Sequence, residues 1–288
     1  MNRGAFTPLS ESVVTITARH FGIPGELATK RDLAEGFLMQ FAEEYRIGGA
    51  KVKKGLRTVA DMRLEGRPAF DLWEALVGCM LDTSILSAFE HYRRVPLVTE
   101  IFTRLLSELP STVVYHAYSH SQDVFEEALR FAVIAGLQSR DIELIAIAAA
   151  FHDAGFITSS GPNESIAAEL AVAGMRRGGY SDKECALVRQ MILDTALISS
   201  PQGLVQSPST PLSGYLLDAD LSNLGREDFF QKGELQRQET NSDEVAFWKA
   251  TLSLIKAHAW ITPVARAMRD TKQRRNVALL EEKLAASA

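Results

Sequence analysis

Six histidines are scattered through 288 residues, and three of them stand where they could do chemistry. His116 and His120 occur in YHAYSHSQDV, four residues apart. That spacing puts two side chains on one side of a helix, although the segment between them could equally be the entry to the helix. Imidazole is a common ligand for Zn, Mn, Fe and Ni, and two on one face can converge on an ion. The plainer alternative is a pair of partly exposed histidines beside a turn. His152 and Asp153, in AAAFHDAGF, follow a run of small apolar residues. Ending a buried helix on an imidazole and a carboxylate is costly unless both are satisfied. A metal ion satisfies both; so does a His–Asp hydrogen bond that merely fixes the helix end. Asp218 and Asp220, in LLDADLSNLG, lie among Leu216, Leu217, Leu221 and Leu224. Residues two apart on a helix point in different directions, so one of the two aspartates at most is a direct ligand.

Helices must carry these groups. Segments 29–45, 70–89, 97–109, 121–137, 141–151, 164–177, 182–197, 215–224, 242–258 and 263–285 all show apolar residues three or four apart, the period of a helix with a buried stripe. Pro96 suits the first position of the helix it opens. Asp141 and Ser181-Asp182 are candidate N-caps. Stretches 48–67, rich in glycine and basic residues, and 199–214, rich in proline and serine, read as loops. No stretch alternates as a strand should, which makes the expected fold class all-α. A boundary near residues 92–96 would separate an N-terminal helical region, 1–95, from a domain at 96–288 that holds every chemically suggestive residue. The N-terminal helices could equally pack on the same core.

Composition narrows the partners. The net charge is -5, which is no footprint for general nucleic-acid binding. The basic cluster Lys51, Lys53, Lys54 and Arg57 lies close to Glu43, Glu44, Asp61 and Glu65 and reads as a solvated loop. The two cysteines, Cys79 and Cys185, have neither finger spacing nor a disulfide framework. No apolar run is long enough to span a bilayer and the first residues lack a signal-peptide core, so a cytoplasmic protein without membrane contact is expected. A homo-oligomer stays open.

Taken in order, His…His-Asp…Asp resembles the HD superfamily of metal-dependent phosphohydrolases over residues 96–288. The flanks DADLSNLGREDFF and HAWITPVARAMRD, the latter beginning at His258, are also similar to a bacterial subgroup of it. The resemblance implies an HD-type helical bundle with additional N-terminal helices. It implies one divalent metal ion (Mn, Fe, Ni, Co, Zn or Mg) held by His120, His152, Asp153 and Asp220. Spacings of 32 residues from His120 to His152 and 67 from Asp153 to Asp220 fit that layout. It implies hydrolysis of a small phosphorylated substrate, a nucleotide or other phosphate ester, by an activated water. His116 would then be the general acid and Asp153 a group able to accept the water's proton. Asp123 would orient His120 from one turn away. Asp218 would support the ligands. Arg226 would contact phosphate, since a guanidinium fork matches its oxygens, whereas Arg176 and Arg177 read more simply as surface charge. His258 suggests packing or support of a ligand before ligation. Members with two metals bring another histidine after the doublet. Here SGPNES places Asn163 before Glu164, and QMILDTALIS has no histidine, so a mononuclear site is expected. A regulatory protein that keeps the metal pocket with little turnover is the alternative. An oxygenase of the same fold would need more histidines.

Overall fold

The computed structural model describes Ile85 and residues 88–158, 163–201 and 203–286. The chain divides into two units at residues 87 and 88, and the second unit holds all the residues with suggestive chemistry. The expected helix 29–45, the loop 48–67 with its basic cluster, and nearly all of 70–89 lie outside the described residues; 88–93 are helical.

The described chain is mostly helical, in the order α1 (Pro96–Glu108), α2 (Tyr118–Ile134), α3 (Ser139–Phe151), α4 (Asn163–Arg177), α5 (Asp182–Leu193), β1 (Ile198–Ser200), β2 (Gly203–Val205), α6 (Ser213–Asp220), α7 (Phe229–Glu239), α8 (Glu244–Ala257) and α9 (Pro263–Ala286). Short 3-10 turns at Ala154–Ile157 and Ser222–Gly225 follow α3 and α6. α1 has Pro96 at its start and buries Leu97, Val98, Ile101, Phe102 and Leu105, one stripe of its surface.

α3 is different. Every residue from Leu144 to Phe151 is buried, so beyond its first turn the helix has no solvent face, as a stretch that is apolar all round requires. It packs against α1, α2, α4, α5 and α6. Its small residues Ala146, Ala148, Ala149 and Ala150 let those neighbours approach its backbone closely. The centre of the unit is therefore this helix, and His152 is its C-cap.

α5 opens with a capping box, as Ser181 suggests. The Ser181 hydroxyl accepts from the Glu184 backbone N–H, and the Ser181 N–H donates to the Glu184 carboxylate at 2.9 Å. Asp141 differs from expectation. α3 begins at Ser139, which leaves Asp141 in the first turn, where its charge complements the helix dipole rather than capping. The expected helix 182–197 ends at Leu193. An antiparallel hairpin pairs Ile198 with Val205 and Ser200 with Gly203, beginning one residue before the stretch read as loop. α7 has no counterpart in the periodicity because only Phe229 and Gly233 of it are buried.

A buried ionic cluster ties the two ends of the unit together. Arg269 of α9 donates to the Glu127 carboxylate of α2, and its Nε donates to Ser222 Oγ at 2.9 Å. Ser222 Oγ donates to Glu127 at 3.0 Å. Burial alone would push the Glu127 carboxyl up, but Arg269 and Arg130 outweigh it and bring it down to about 2. Gly225 lets the turn after α6 lie flat on α9, since a Cβ there would stand 2.6 Å from the Arg269 backbone oxygen. Removing one partner of such a pair leaves an uncompensated buried charge. Arg269→Met is expected to lower stability by about 3–5 kcal/mol in urea denaturation at neutral pH; a loss near zero would mean that water reaches Glu127.

Candidate metal centre

α2 begins at Tyr118, so His120 lies in its first turn, with a buried side chain, while His116 sits just before the helix. α3 ends in His152, and Asp153 follows at the head of the 3-10 turn. Asp220 is the last residue of α6. Three helix ends therefore meet. His120 Nε2 is 3.3 Å from Asp220 Oδ1 and 3.5 Å from Asp153 Oδ2. His152 Nε2 is 3.1 Å from Asp153 Oδ2 and 3.6 Å from Asp220 Oδ1. Nitrogen and oxygen alternate around a common point. Donors held about 2.0–2.3 Å from one ion stand about 2.8–3.8 Å apart at right or tetrahedral angles. His120, His152 and Asp220 each offer a ligand atom within 4.8 Å of the other two, and the cluster could hold a metal ion.

Three of these side chains are each fixed by the outer atom and turn the inner one toward the cluster. His152 Nδ1 is bonded to the Ala149 carbonyl at 2.8 Å, so Nε2 faces the cluster. Asn163 Nδ2 donates to Asp153 Oδ1 at 2.8 Å, which leaves Oδ2 facing it. Gln206 Nε2 donates to Asp220 Oδ2 at 2.7 Å, which leaves Oδ1. His152 Nε2 and Asp153 Oδ2 are fully enclosed, and neither has a hydrogen-bond partner. They approach to 3.1 Å without the alignment of a hydrogen bond. Groups that point at one spot rather than at each other leave a position for something bound between them.

The electrostatics agree. Burial pushes the Asp153 carboxyl up, but the rings of His152, His116 and His120 outweigh it and bring it down to about 2. Burial likewise raises Asp220, and the neighbouring rings of His120 and His152 take it well below the usual carboxylate range. Burial alone would lower His152; Asp153 and Asp220 hold it well above an ordinary imidazole.

The other residues singled out from the sequence have varied placements. Asp218 turns away from the cluster. Its carboxylate accepts from the N–H of Ile261 at 2.9 Å and of Thr262 at 2.7 Å, and from the Thr262 hydroxyl at 2.6 Å. Asp123 does not reach back to His120. It is bridged by Arg226, whose Nη1 and Nη2 both lie 2.8 Å from it. Arg226 also bonds Asp228 through Nε and Nη2, so four of its five N–H donors are used within the protein. It braces α2 against the start of α7. Arg176 and Arg177 are exposed and meet Asp182 and Glu100 at 3.8 and 3.2 Å. His258 is the C-cap of α8 and lies outside the cluster.

His116 borders the cluster. Its ring stacks on Phe156, with centroids 4.6 Å apart, and meets the His120 ring edge-on. Its Nδ1 is paired with Glu239 of α7, whose other oxygen accepts the backbone N–H of Tyr115 at 2.7 Å and of His116 at 3.1 Å. Burial alone would lower His116, but Asp153 and Glu239 raise it above an ordinary imidazole.

Glu239, Gln206 and the supporting use of Asn163 are not visible in the sequence. Gln206 sits in the stretch read as loop. It is placed because Asp194, at the end of α5, accepts from the N–H and hydroxyl of Ser209 and from the hydroxyl of Ser213. Asn163 reaches Asp153 because the 3-10 turn folds back on the start of α4; a Cβ on Gly155 would stand 2.3 Å from the Asn163 carbonyl oxygen. The pair Gly155 and Asn163 is the available signal, a glycine at the doublet followed by an amide eight residues on. No protein-family model matches the chain, and no curated protein matches it.

Asn163→Ala releases Asp153 Oδ1 and is expected to weaken metal affinity about 10–100-fold, the usual effect of losing a group that orients a ligand, measured by competition with a chelator. Binding also requires a neutral His152, whose proton is held above pH 6.5 in the metal-free chain. Affinity should therefore fall as pH drops, by about tenfold per unit for one displaced proton. Calorimetry in buffers of different ionisation enthalpy should register proton release; no release would mean that His152 is not a ligand.

Proposed function

We propose that this chain is a metal-dependent phosphohydrolase of the HD superfamily, acting on a nucleotide or other phosphate ester. One observation carries it: Asp153 and His152 each have one atom fixed by the protein and one enclosed atom left without a hydrogen bond, facing His120 and Asp220. That is the state of a ligand set built around a cation. The order His, His-Asp, Asp along the chain and its carriage on helix ends support the family reading. Asn163 donates its amide nitrogen to Asp153, and an amide oxygen is a weaker ligand than the imidazole found at this place in two-metal members, which supports a single ion.

A divalent ion held by His120, His152, Asp153 and Asp220 supplies Lewis acidity toward a phosphoryl oxygen and lowers the pKa of a water. The protein supplies the rest. Asp153 and Glu239 favour the protonated ring of His116, and Glu239 occupies its Nδ1, so a proton for a leaving oxygen would come from Nε2. Phe156 fixes the plane of that ring by stacking. Tyr115 lies against His120, with centroids 4.8 Å apart, and helps to close the cluster from water. Asp153 or Asp220 would accept the water's proton where its hold on the ion is loose.

Elemental analysis of purified protein should find about one divalent ion per chain, as the ligand count implies. The metal-loaded protein, offered nucleoside monophosphates, cyclic nucleotides and a chromogenic phosphate ester with Mn, Ni, Co and Mg, should release product. His116→Ala should lower kcat by about 10²–10⁴-fold, the range for losing a general acid, with metal content unchanged. Full metal and activity in Asp153→Ala would sink the assignment. Bound metal with silence across the panel would favour a regulatory protein instead.

A further inference from the structure

Tyr115 is 7% exposed and belongs to the wall of the metal centre. Its ring lies against the His120 ring, with centroids 4.8 Å apart and planes 30° from parallel. A buried tyrosine usually finds a partner for its O–H. Among the described residues the Tyr115 hydroxyl has none. It also differs from the other orphaned atoms of the centre. His152 Nε2 and Asp153 Oδ2 are sealed off, whereas the Tyr115 oxygen keeps an opening.

The charges around that oxygen are those of the cluster. Burial pushes the hydroxyl up, and Asp220 and then Asp153 push it further, ahead of Asp123. It stays a phenol, able to donate. The carboxylates beside it do not take the proton. Asp220 Oδ2 and Asp153 Oδ1 accept from Gln206 and Asn163, at 2.7 and 2.8 Å, and their inner oxygens face the imidazoles.

The backbone of Tyr115 is held from a distance. Glu239, the last residue of α7, stands 124 residues away along the chain. Its Oε2 accepts the N–H of Tyr115 at 2.7 Å and of His116 at 3.1 Å, and its Oε1 pairs with His116 Nδ1. One carboxylate thus fixes two consecutive residues, and the rings of both meet His120. Packing beside His120 alone would be served by phenylalanine.

We propose that Tyr115 is a substrate-contacting residue of this centre: its hydroxyl donates a hydrogen bond to a non-bridging phosphoryl oxygen, while His116 serves the leaving oxygen. The assignment rests on the phosphohydrolase reading and adds a contact to it. A neutral donor suits the place, since it adds no charge beside the rings of His116, His120 and His152.

The test uses the full chain loaded with Mn, and Tyr115→Phe, which removes the hydroxyl and keeps the ring against His120. The hydroxyl makes no internal bond, so the fold should be unaffected. Inorganic phosphate is titrated into both proteins by calorimetry. Tyr115→Phe is expected to weaken phosphate about tenfold or more, the effect of losing a hydrogen bond to a charged group. Its metal affinity, measured by competition with a chelator, should not change. A chromogenic phosphate ester and a nucleoside monophosphate should lose activity by the same factor, because their non-bridging oxygens are alike. A loss confined to the poorer leaving group would put the hydroxyl on the leaving oxygen and overturn the assignment. Metal affinity that falls together with phosphate affinity would also overturn it, by making the contact with His120 the cause. Unchanged phosphate affinity in Tyr115→Phe removes the contact, and wild-type hydrolysis of the esters would leave the phosphohydrolase reading intact. Conversely, phosphate binding that depends on Tyr115, with no ester hydrolysed, keeps the contact and refutes the hydrolase reading. No phosphate binding by the metal-loaded wild type at millimolar concentration overturns both.

Discussion

Two carboxylates, Asp153 and Asp220, face the same two imidazoles where there is almost no water. Ionised groups in such a place are expensive unless compensated. The rings of His120 and His152 compensate them in part, and for His152 the cost is a proton held more tightly than an ordinary imidazole holds it. A divalent cation would compensate them better, because His120, His152 and Asp220 could all turn an atom to it at once. Much of the surrounding architecture serves to keep those atoms pointing inward: the Ala149 carbonyl on His152, Asn163 on Asp153, and Gln206 on Asp220.

Those three supports come from different parts of the chain, and each is itself held. Ala149 lies in a helix with neighbours on every side. Asn163 begins α4 and depends on a glycine-permitted fold-back of the turn before it. Gln206 depends on Asp194, which gathers the segment after the hairpin by accepting from Ser209 and Ser213. Asp218 performs a parallel service below the cluster. By taking the two N–H groups of residues 261 and 262 it fastens α6, the helix that carries Asp220, to the start of α9. Two aspartates two residues apart thus divide the work, one toward the cluster and one toward the fold.

The parts of this arrangement that can be read in the sequence are the local ones. His152-Asp153 stands out because an apolar run cannot end on two polar groups without a reason. The helical period locates α1 to α6, α8 and α9 to within a few residues. The hairpin is invisible to it because its strands are three residues long and leave Ile198 and Leu204 exposed, too short and too open to alternate. α7 is invisible because its surface is polar nearly all round, and Glu239 is hidden with it. Asn163 is legible only as an absence, a missing imidazole; its use as a brace for Asp153 depends on a fold-back that no periodicity encodes. Arg226 reads as a free guanidinium until its acidic partners, 103 residues away and two residues away, are in place.

Alanine has no side-chain torsion. The stretch of α3 beneath the cluster contains four alanines among its last six residues, all fully enclosed. Most protein cores absorb a local change by letting leucines and isoleucines hop between rotamers. Here there is little to hop, and little side-chain entropy was lost in assembling the platform. A disturbance arriving from a neighbouring helix must either move this one bodily, backbone and doublet together, or stop at its surface. The register of His152 and Asp153 is therefore set by main-chain geometry, which varies far less than side-chain conformation does.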